Sequence, residues 1–172
     1  MKKSRPALKF TLPGIFALLL AVTWTQPAYA WTWASNVTVY NGQGLCVQGT
    51  AGIDHRIPGN FSGNLAYANT YARSGGCGTG LTKPDGSARV RLEVLKWNGS
   101  TWNVCRSTAW KYGPTGISGG DVGGPYGPSQ VFDYGGSSSC GPGFYGTRAY
   151  AQVHDGSAWR GGSVWSGHER LP

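Results

Sequence analysis

The chain has 172 residues, with 29 Gly, 8 Trp and 9 Tyr, and it carries 15 Lys and Arg against 7 Asp and Glu. Its abundance of aromatic residues excludes a disordered chain, and its length is that of one ordinary domain. Four of the Lys and Arg lie in residues 1–9, and the remaining excess is confined to residues 89–111, which argues against the dense basic surface of a nucleic-acid-binding protein.

The first 30 residues have the features of a secretory signal peptide. Basic residues between Lys2 and Lys9 precede an apolar stretch over 12–22, and Ala28-Tyr29-Ala30 is a small-x-small cleavage site. We expect cleavage after Ala30. The expected product is one secreted, extracellular domain of residues 31–172 without a membrane anchor, since no later apolar stretch is long enough to span a bilayer.

The expected mature chain begins with Trp31-Thr32-Trp33. Chain termini are rarely ordered unless something holds them, so two indoles at this end either fold back onto the domain or dock into a partner. Both alternatives stay open. We treat residues 31–35 as a candidate docking arm and name Trp31, Thr32 and Trp33 as candidate partner-binding residues.

The next run, Asn36 to Tyr40, is rich in β-formers and is followed by Asn41-Gly42, a turn signal. Few windows anywhere in the chain are typical of helices, because Gly or Pro interrupts nearly every candidate. The sequence therefore predicts an all-β fold with long Gly-rich loops.

Four cysteines, Cys46, Cys77, Cys105 and Cys140, lie far apart in the sequence. In an exported chain they predict two disulfides, whereas a zinc site needs closely spaced pairs. Of the three connectivities, the sequential one, Cys46–Cys77 with Cys105–Cys140, is topologically the simplest. No metal or cofactor motif is present, so we expect neither.

The clearest strand runs from Ser87 to Trp97. Apolar residues from Val90 to Val94 alternate there with Arg89, Arg91 and Glu93, so one face should be buried and the other wet. Arg89 and Arg91 are candidate contacts to an acidic protein partner or an acidic cell-wall polymer. A solvated face that aids solubility is the alternative.

Two turns resemble each other, Asn98-Gly99-Ser100 before Trp102 and Asp155-Gly156-Ser157 before Trp159. Each predicts a β-hairpin, and the similarity is explained equally well by a duplication or by convergent turn chemistry. We expect the Trp residues that flank these hairpins to lie in the core or in cross-strand pairs. The whole is predicted to be a single disulfide-stapled antiparallel β-sandwich or barrel-like domain.

Enzyme chemistry has little support in the sequence. The stretch 120–125, GDVGGP, matches the nucleophile motif of chymotrypsin-like proteases except that Val122 replaces the serine, and valine has no oxygen to activate. A glycosidase needs two carboxylates across a cleft, and a pair such as Asp54 and Glu93 stays open. We expect no catalytic residues, with a small secreted hydrolase as the second alternative.

In its size, signal peptide, Trp31 start, four cysteines and glycine-rich β-strands, the chain resembles small secreted actinobacterial proteins, in particular the adaptor subunits of umbrella toxin particles. The resemblance implies a non-toxic adaptor that joins a repeat-bearing toxin stalk to a subunit combining a lectin with a trypsin-like domain. It also implies that an N-terminal segment, here starting at Trp31-Thr32-Trp33, inserts into the cleft of the trypsin-like domain. We therefore expect a non-enzymatic protein-interaction module; the first alternative is a lectin-like protein that binds carbohydrate or cell wall.

Overall fold

The computed structural model describes residues 31–54, 65–117, 125–133 and 140–171. These residues form ten strands and one short 3₁₀ turn, Gly75–Cys77, and no helix in this part is long and apolar enough to cross a membrane. The strands are β1 (Trp31–Gly42), β2 (Leu45–Asp54), β3 (Leu65–Ser74), β4 (Lys83–Trp97), β5 (Trp102–Ser107), β6 (Lys111–Ile117), β7 (Pro125–Tyr126), β8 (Ser129–Asp133), β9 (Gly143–His154) and β10 (Trp159–Leu171). The predicted signal peptide, residues 1–30, and most of the stretch 120–125 lie outside the described residues.

Two antiparallel sheets pack against each other, which confirms the predicted all-β sandwich. The smaller sheet has the order β1-β2-β3-β8, and the larger has the order β10-β9-β4-β6-β7 with β5 also paired to β4. The main core lies between them, with Ile53 and Ala68 from the smaller sheet meeting Leu92 and Ala149 from the larger one. Strands β1 and β10, at neighbouring edges of the two sheets, also contact each other.

Strand β4 shows the predicted alternation. Val90, Leu92 and Val94 are fully buried, and Arg89 and Arg91 lie on the opposite, outer face. The expectation that Glu93 would be exposed to solvent is wrong, because this residue is only 5% exposed. Its burial follows from the side chains that cover the outer face of the larger sheet.

Both disulfides have the predicted sequential pairing. Cys46–Cys77 joins β2 to the 3₁₀ turn that follows β3, beside the apolar cluster that contains Leu45. Cys105–Cys140 joins β5 to the segment before β9 and packs against the other apolar cluster. The two bridges thus fasten opposite ends of the sandwich.

The two predicted hairpins have the same turn. Asn98 Oδ1 accepts hydrogen bonds from the backbone N–H groups of Ser100 (2.9 Å) and Thr101 (2.8 Å). Asp155 Oδ1 accepts the equivalent bonds from the residues two and three positions further on, at 2.7 and 2.8 Å. The turn after β1 lies later than expected, at Gln43-Gly44 instead of Asn41-Gly42, because these two residues take the positive φ angles of 53° and 75° that the tight turn needs.

Candidate binding surfaces

The outer face of the larger sheet is covered by aromatic and arginine side chains, beginning with Arg89. The Arg89 guanidinium lies 4.3 Å from the Trp110 ring centroid and 4.1 Å from that of Trp159. Its Nε and Nη2 both donate to Gln152 Oε1, at 2.8 and 2.6 Å. A planar cation held between two indoles is well suited to this contact, so Arg89 is part of the sheet's own surface packing.

Glu93 occupies the middle of the same face and is buried under its partners. Its carboxylate accepts hydrogen bonds from Arg91 Nη2 (2.7 Å), Arg148 Nη2 (2.7 Å) and the Tyr150 hydroxyl (3.1 Å). Two guanidinium groups neutralise its charge, which makes burial tolerable. Burial raises the pKa of the Tyr150 hydroxyl, and the hydrogen bond to the Glu93 carboxylate acts in the same direction.

Neither of the two carboxylates considered for hydrolysis faces the other. Glu93 points outward from the larger sheet, whereas Asp54, which follows buried Ile53 on β2, points outward from the smaller one. The pair therefore lies on opposite outer faces of the sandwich. Among the described residues, no group of three or more His, Cys, Asp or Glu side chains could hold a metal ion.

One end of the larger sheet carries an open aromatic groove, with a volume of about 360 Å³, lined by Trp97, Trp102, Phe144 and His168. We call it the aromatic groove. Trp97 and Trp102 form a cross-strand pair at the first hairpin, as predicted, with ring centroids 5.3 Å apart. The His168 ring lies 5.8 Å from that of Trp102 and 5.9 Å from that of Phe144, so strands β4, β5, β9 and β10 all contribute.

Trp165 closes one side of the groove by lying against Trp102, with ring centroids 5.0 Å apart. It can lie flat on the sheet because position 146 is glycine, where an added Cβ would come within 2.1 Å of the Trp165 ring. The sequence predicted that the hairpin tryptophans lie in the core or in cross-strand pairs, and Trp97 and Trp102 form such a pair. The structure places Trp102 and Trp165 on the outer face.

Two arginines lie next to the aromatic groove. Arg170 lies directly opposite Phe144 in the β9–β10 register, and Arg148 lies opposite Trp165. Lys96 precedes Trp97 but points to the opposite face of β4, because it pairs with buried Tyr145, and its amine donates to the Cys140 carbonyl. In the described part of the chain, Arg170 forms no ion pair.

A second exposed aromatic surface lies on the outer face of the smaller sheet. Trp33, Gly52, Tyr67 and Val131 follow one another across the four strands in a single register row. The rings of Trp33 and Tyr67 are 5.1 Å apart, while Val131 is 53% exposed. Gly52 makes this arrangement possible, since a Cβ there would lie 2.6 Å from the Trp33 ring. We call Trp33, Tyr67 and Val131 the Trp33 surface.

The candidate arm begins as part of strand β1. Trp31 pairs with Asp54 in the β1–β2 register, and Thr32 packs its methyl group against Gly167 of β10. Trp33 is 37% exposed, so it both covers the sheet and presents a face to solvent. The structure thus brings Trp31, Thr32 and Trp33 together at one sheet edge and places Arg89 and Arg91 on the opposite outer face.

Sequence reasoning did not single out Phe144 or His168. Both follow the alternation of their strands, since Tyr145 and Glu169 beside them are buried and the two ring-bearing residues therefore point outward. That alternation was available in the sequence, but it does not say that the two strands lie next to Trp97 and Trp102. No family model matches the chain, and no curated protein or solved structure is detectably similar to it.

Proposed function

We propose that the protein is a non-enzymatic interaction module that joins two protein partners. The observation that supports this best is the presence of two exposed aromatic surfaces on outer faces of opposite sheets, the Trp33 surface and the aromatic groove. Trp and Tyr dominate the energetics of protein interfaces because they bury large areas at a small cost in side-chain entropy. Two such surfaces facing away from each other suit a protein that links two others.

The proposal agrees with the resemblance to the adaptor subunits of umbrella toxin particles. In that role, the strand that begins with Trp31, Thr32 and Trp33 meets one subunit, and the opposite face, which includes Arg89 and Arg91, meets the other. Because Arg89 is already stacked between two indoles, its contribution is to hold the surface in shape. Arg91, whose side chain is 37% exposed, pairs with Glu93.

We further propose that the protein acts outside the cell, after removal of residues 1–30. The two disulfides support an oxidising compartment, because such bonds are rare in reducing cytoplasm. In this proposal the protein is released without a membrane anchor.

The test is to capture partners from culture supernatant with the full chain, secreted through its own first 30 residues and carrying a C-terminal tag. Trp33→Ala should lose one stoichiometric partner and keep a second, while Trp102→Ala should do the reverse. Thr79→Ala is the control, because Thr79 is exposed in the loop before β4 and lines neither surface.

Three outcomes would contradict the proposal. Loss of the same partner by both variants would mean that the two surfaces form one interface or act only through folding. Retention on polysaccharide without any protein partner would favour the lectin-like alternative. Turnover of a glycoside or peptide substrate that is lost in Glu93→Gln would favour a hydrolase.

A further inference from the structure

We propose that the aromatic groove receives an apolar side chain from an acidic segment of a partner protein. The proposal rests on the two-partner function above and specifies the chemistry of one partner. Three observations carry it: the composition of the groove lining, the lack of a stacked Lys or Arg from the described chain on its central indole, and the charge of Arg170 at its rim.

The lining favours an apolar side chain over a sugar ring. Trp97, Trp102 and Phe144 supply apolar surface, and the polar groups among the described lining residues are the His168 imidazole and the two indole N–H groups. A bound sugar has several hydroxyl groups, each of which needs a partner once it leaves water, and unpaired buried groups are costly. An indole, phenyl or leucine side chain has no such requirement, and the volume of about 360 Å³ accommodates it.

Comparison of the two hairpins shows that the central indole of the groove has no Lys or Arg of the described chain stacked on it, although aromatic rings lie beside it. In the second hairpin, Trp159 is covered from within the chain by the Arg89 guanidinium, 4.1 Å from its ring, and by Tyr112, 5.8 Å away. Trp102 holds the equivalent place after the same turn in the first hairpin. No Lys or Arg of the described chain stacks on it, and it borders the open groove.

The positive charge next to the groove favours a partner segment with negative charge. Arg170 lies beside the groove and forms no ion pair in the described part of the chain, whereas Arg148, the other arginine next to the groove, is already held by Glu93. A segment with Asp or Glu beside its apolar side chain therefore finds complementary charge, and a basic segment is repelled. Because the rim is exposed, the attraction should weaken as salt is added.

The experiment uses a short synthetic peptide with a central Trp flanked by Asp and Glu. One comparison peptide has Ala at the centre, and another has Lys in place of the acids. Binding is followed by NMR through the side-chain indole signals, assigned by single Trp→Phe variants. We expect the acidic Trp peptide to shift the Trp97 and Trp102 signals and to bind about tenfold or more tightly than either comparison peptide.

Two variants make the test specific. Arg170→Glu should weaken the acidic peptide about fivefold or more and reduce the discrimination against the Lys peptide. Lys111→Glu makes the same charge reversal on β6, outside the groove lining, and should leave binding unchanged. Phe144→Ala replaces a residue that is 45% exposed, so it tests the groove without disturbing the core.

Equal binding of the acidic and Lys peptides, or an unchanged affinity in both Arg170→Glu and Phe144→Ala, would overturn the proposal. So would binding of cello-oligosaccharide or oligogalacturonate with the same indole shifts and no response to the peptide. If the peptide fails while Trp102→Ala still loses one partner, the acidic-segment chemistry is wrong and the two-partner function stands. If Trp102→Ala keeps every partner, the two-partner function itself fails.

Discussion

The variant Trp33→Ala tests whether the N-terminal segment packs on the smaller sheet or is a free docking arm. In the structure the Trp33 ring lies across Gly52 and against Tyr67, within the row that crosses the smaller sheet. Removing the ring should therefore expose the sheet surface beneath it and lower stability. A segment that served only as a free docking arm would show no such effect.

The size of the effect follows from the covered area. Trp33 is 37% exposed, so about 150 Å² of its surface is covered if a fully buried Trp removes roughly 250 Å² from water. At about 25 cal/mol per Å² this is nearly 4 kcal/mol, and a compact unfolded state reduces the estimate to about 2–3 kcal/mol. For a domain of this size the melting temperature should fall by roughly 8–12 °C.

Thermal unfolding followed by near-ultraviolet circular dichroism measures this shift. Gly52→Ala is a second probe, because its new Cβ would lie 2.6 Å from the indole and displace the ring without deleting it. Val37→Ala, at another exposed position of β1, is the control and should cost no more than about 1 kcal/mol. If Trp33→Ala melts within about 2 °C of the wild type, the indole does not cover the sheet in solution and the reasoning is refuted.

Three further predictions concern the larger sheet and its second hairpin. Arg89→Ala should cost about 2 kcal/mol and shift tryptophan fluorescence to longer wavelength, since two indoles lose their stacked cation; an unchanged spectrum would contradict this. Glu93→Gln should cost about 2–3 kcal/mol in chemical denaturation, because two guanidinium groups lose their shared carboxylate; equal stability would show that the network is not formed. The hydrogen bond from Arg160, followed by backbone N–H bonds, holds the pKa of Asp155 well below its usual range, so this carboxylate stabilises the fold above its unfolded pKa of about 4. The stability lead of the wild type over Asp155→Asn should therefore be present at neutral pH and shrink as the pH falls below about 4, and a lead that does not change with pH would exclude the ion pair.

Local features of the fold were predictable because they depend on neighbours in the sequence. The alternation around Leu92 fixes which side of β4 is buried, and Asn98 and Asp155 specify their turns through side-chain acceptors two and three residues away. The disulfide pairing was also predicted, since joining each cysteine to the next one along the chain is topologically the simplest connectivity. These features do not depend on which strands become neighbours in the two sheets.

The candidate sites depend on pairings between distant strands. Glu93 is buried because Arg148, 55 residues later, lies opposite it, and no local pattern reveals that neighbour. The groove likewise needs Phe144 and His168 to be placed beside the first hairpin, which only the order of the larger sheet determines. The Trp33 ring can lie on the sheet only because its neighbour across the sheet, Gly52, has no side chain.

The most direct test of the proposed function is the native mass of the complex captured from culture supernatant by the tagged chain. If two surfaces on opposite sheets bind two partners, one species should contain a single copy of this chain together with both partners. It should give way to two different binary complexes in Trp33→Ala and Trp102→Ala. Detection of two binary complexes and no ternary species with the wild-type chain would mean that the partners compete for one surface, and the two-partner proposal would be wrong.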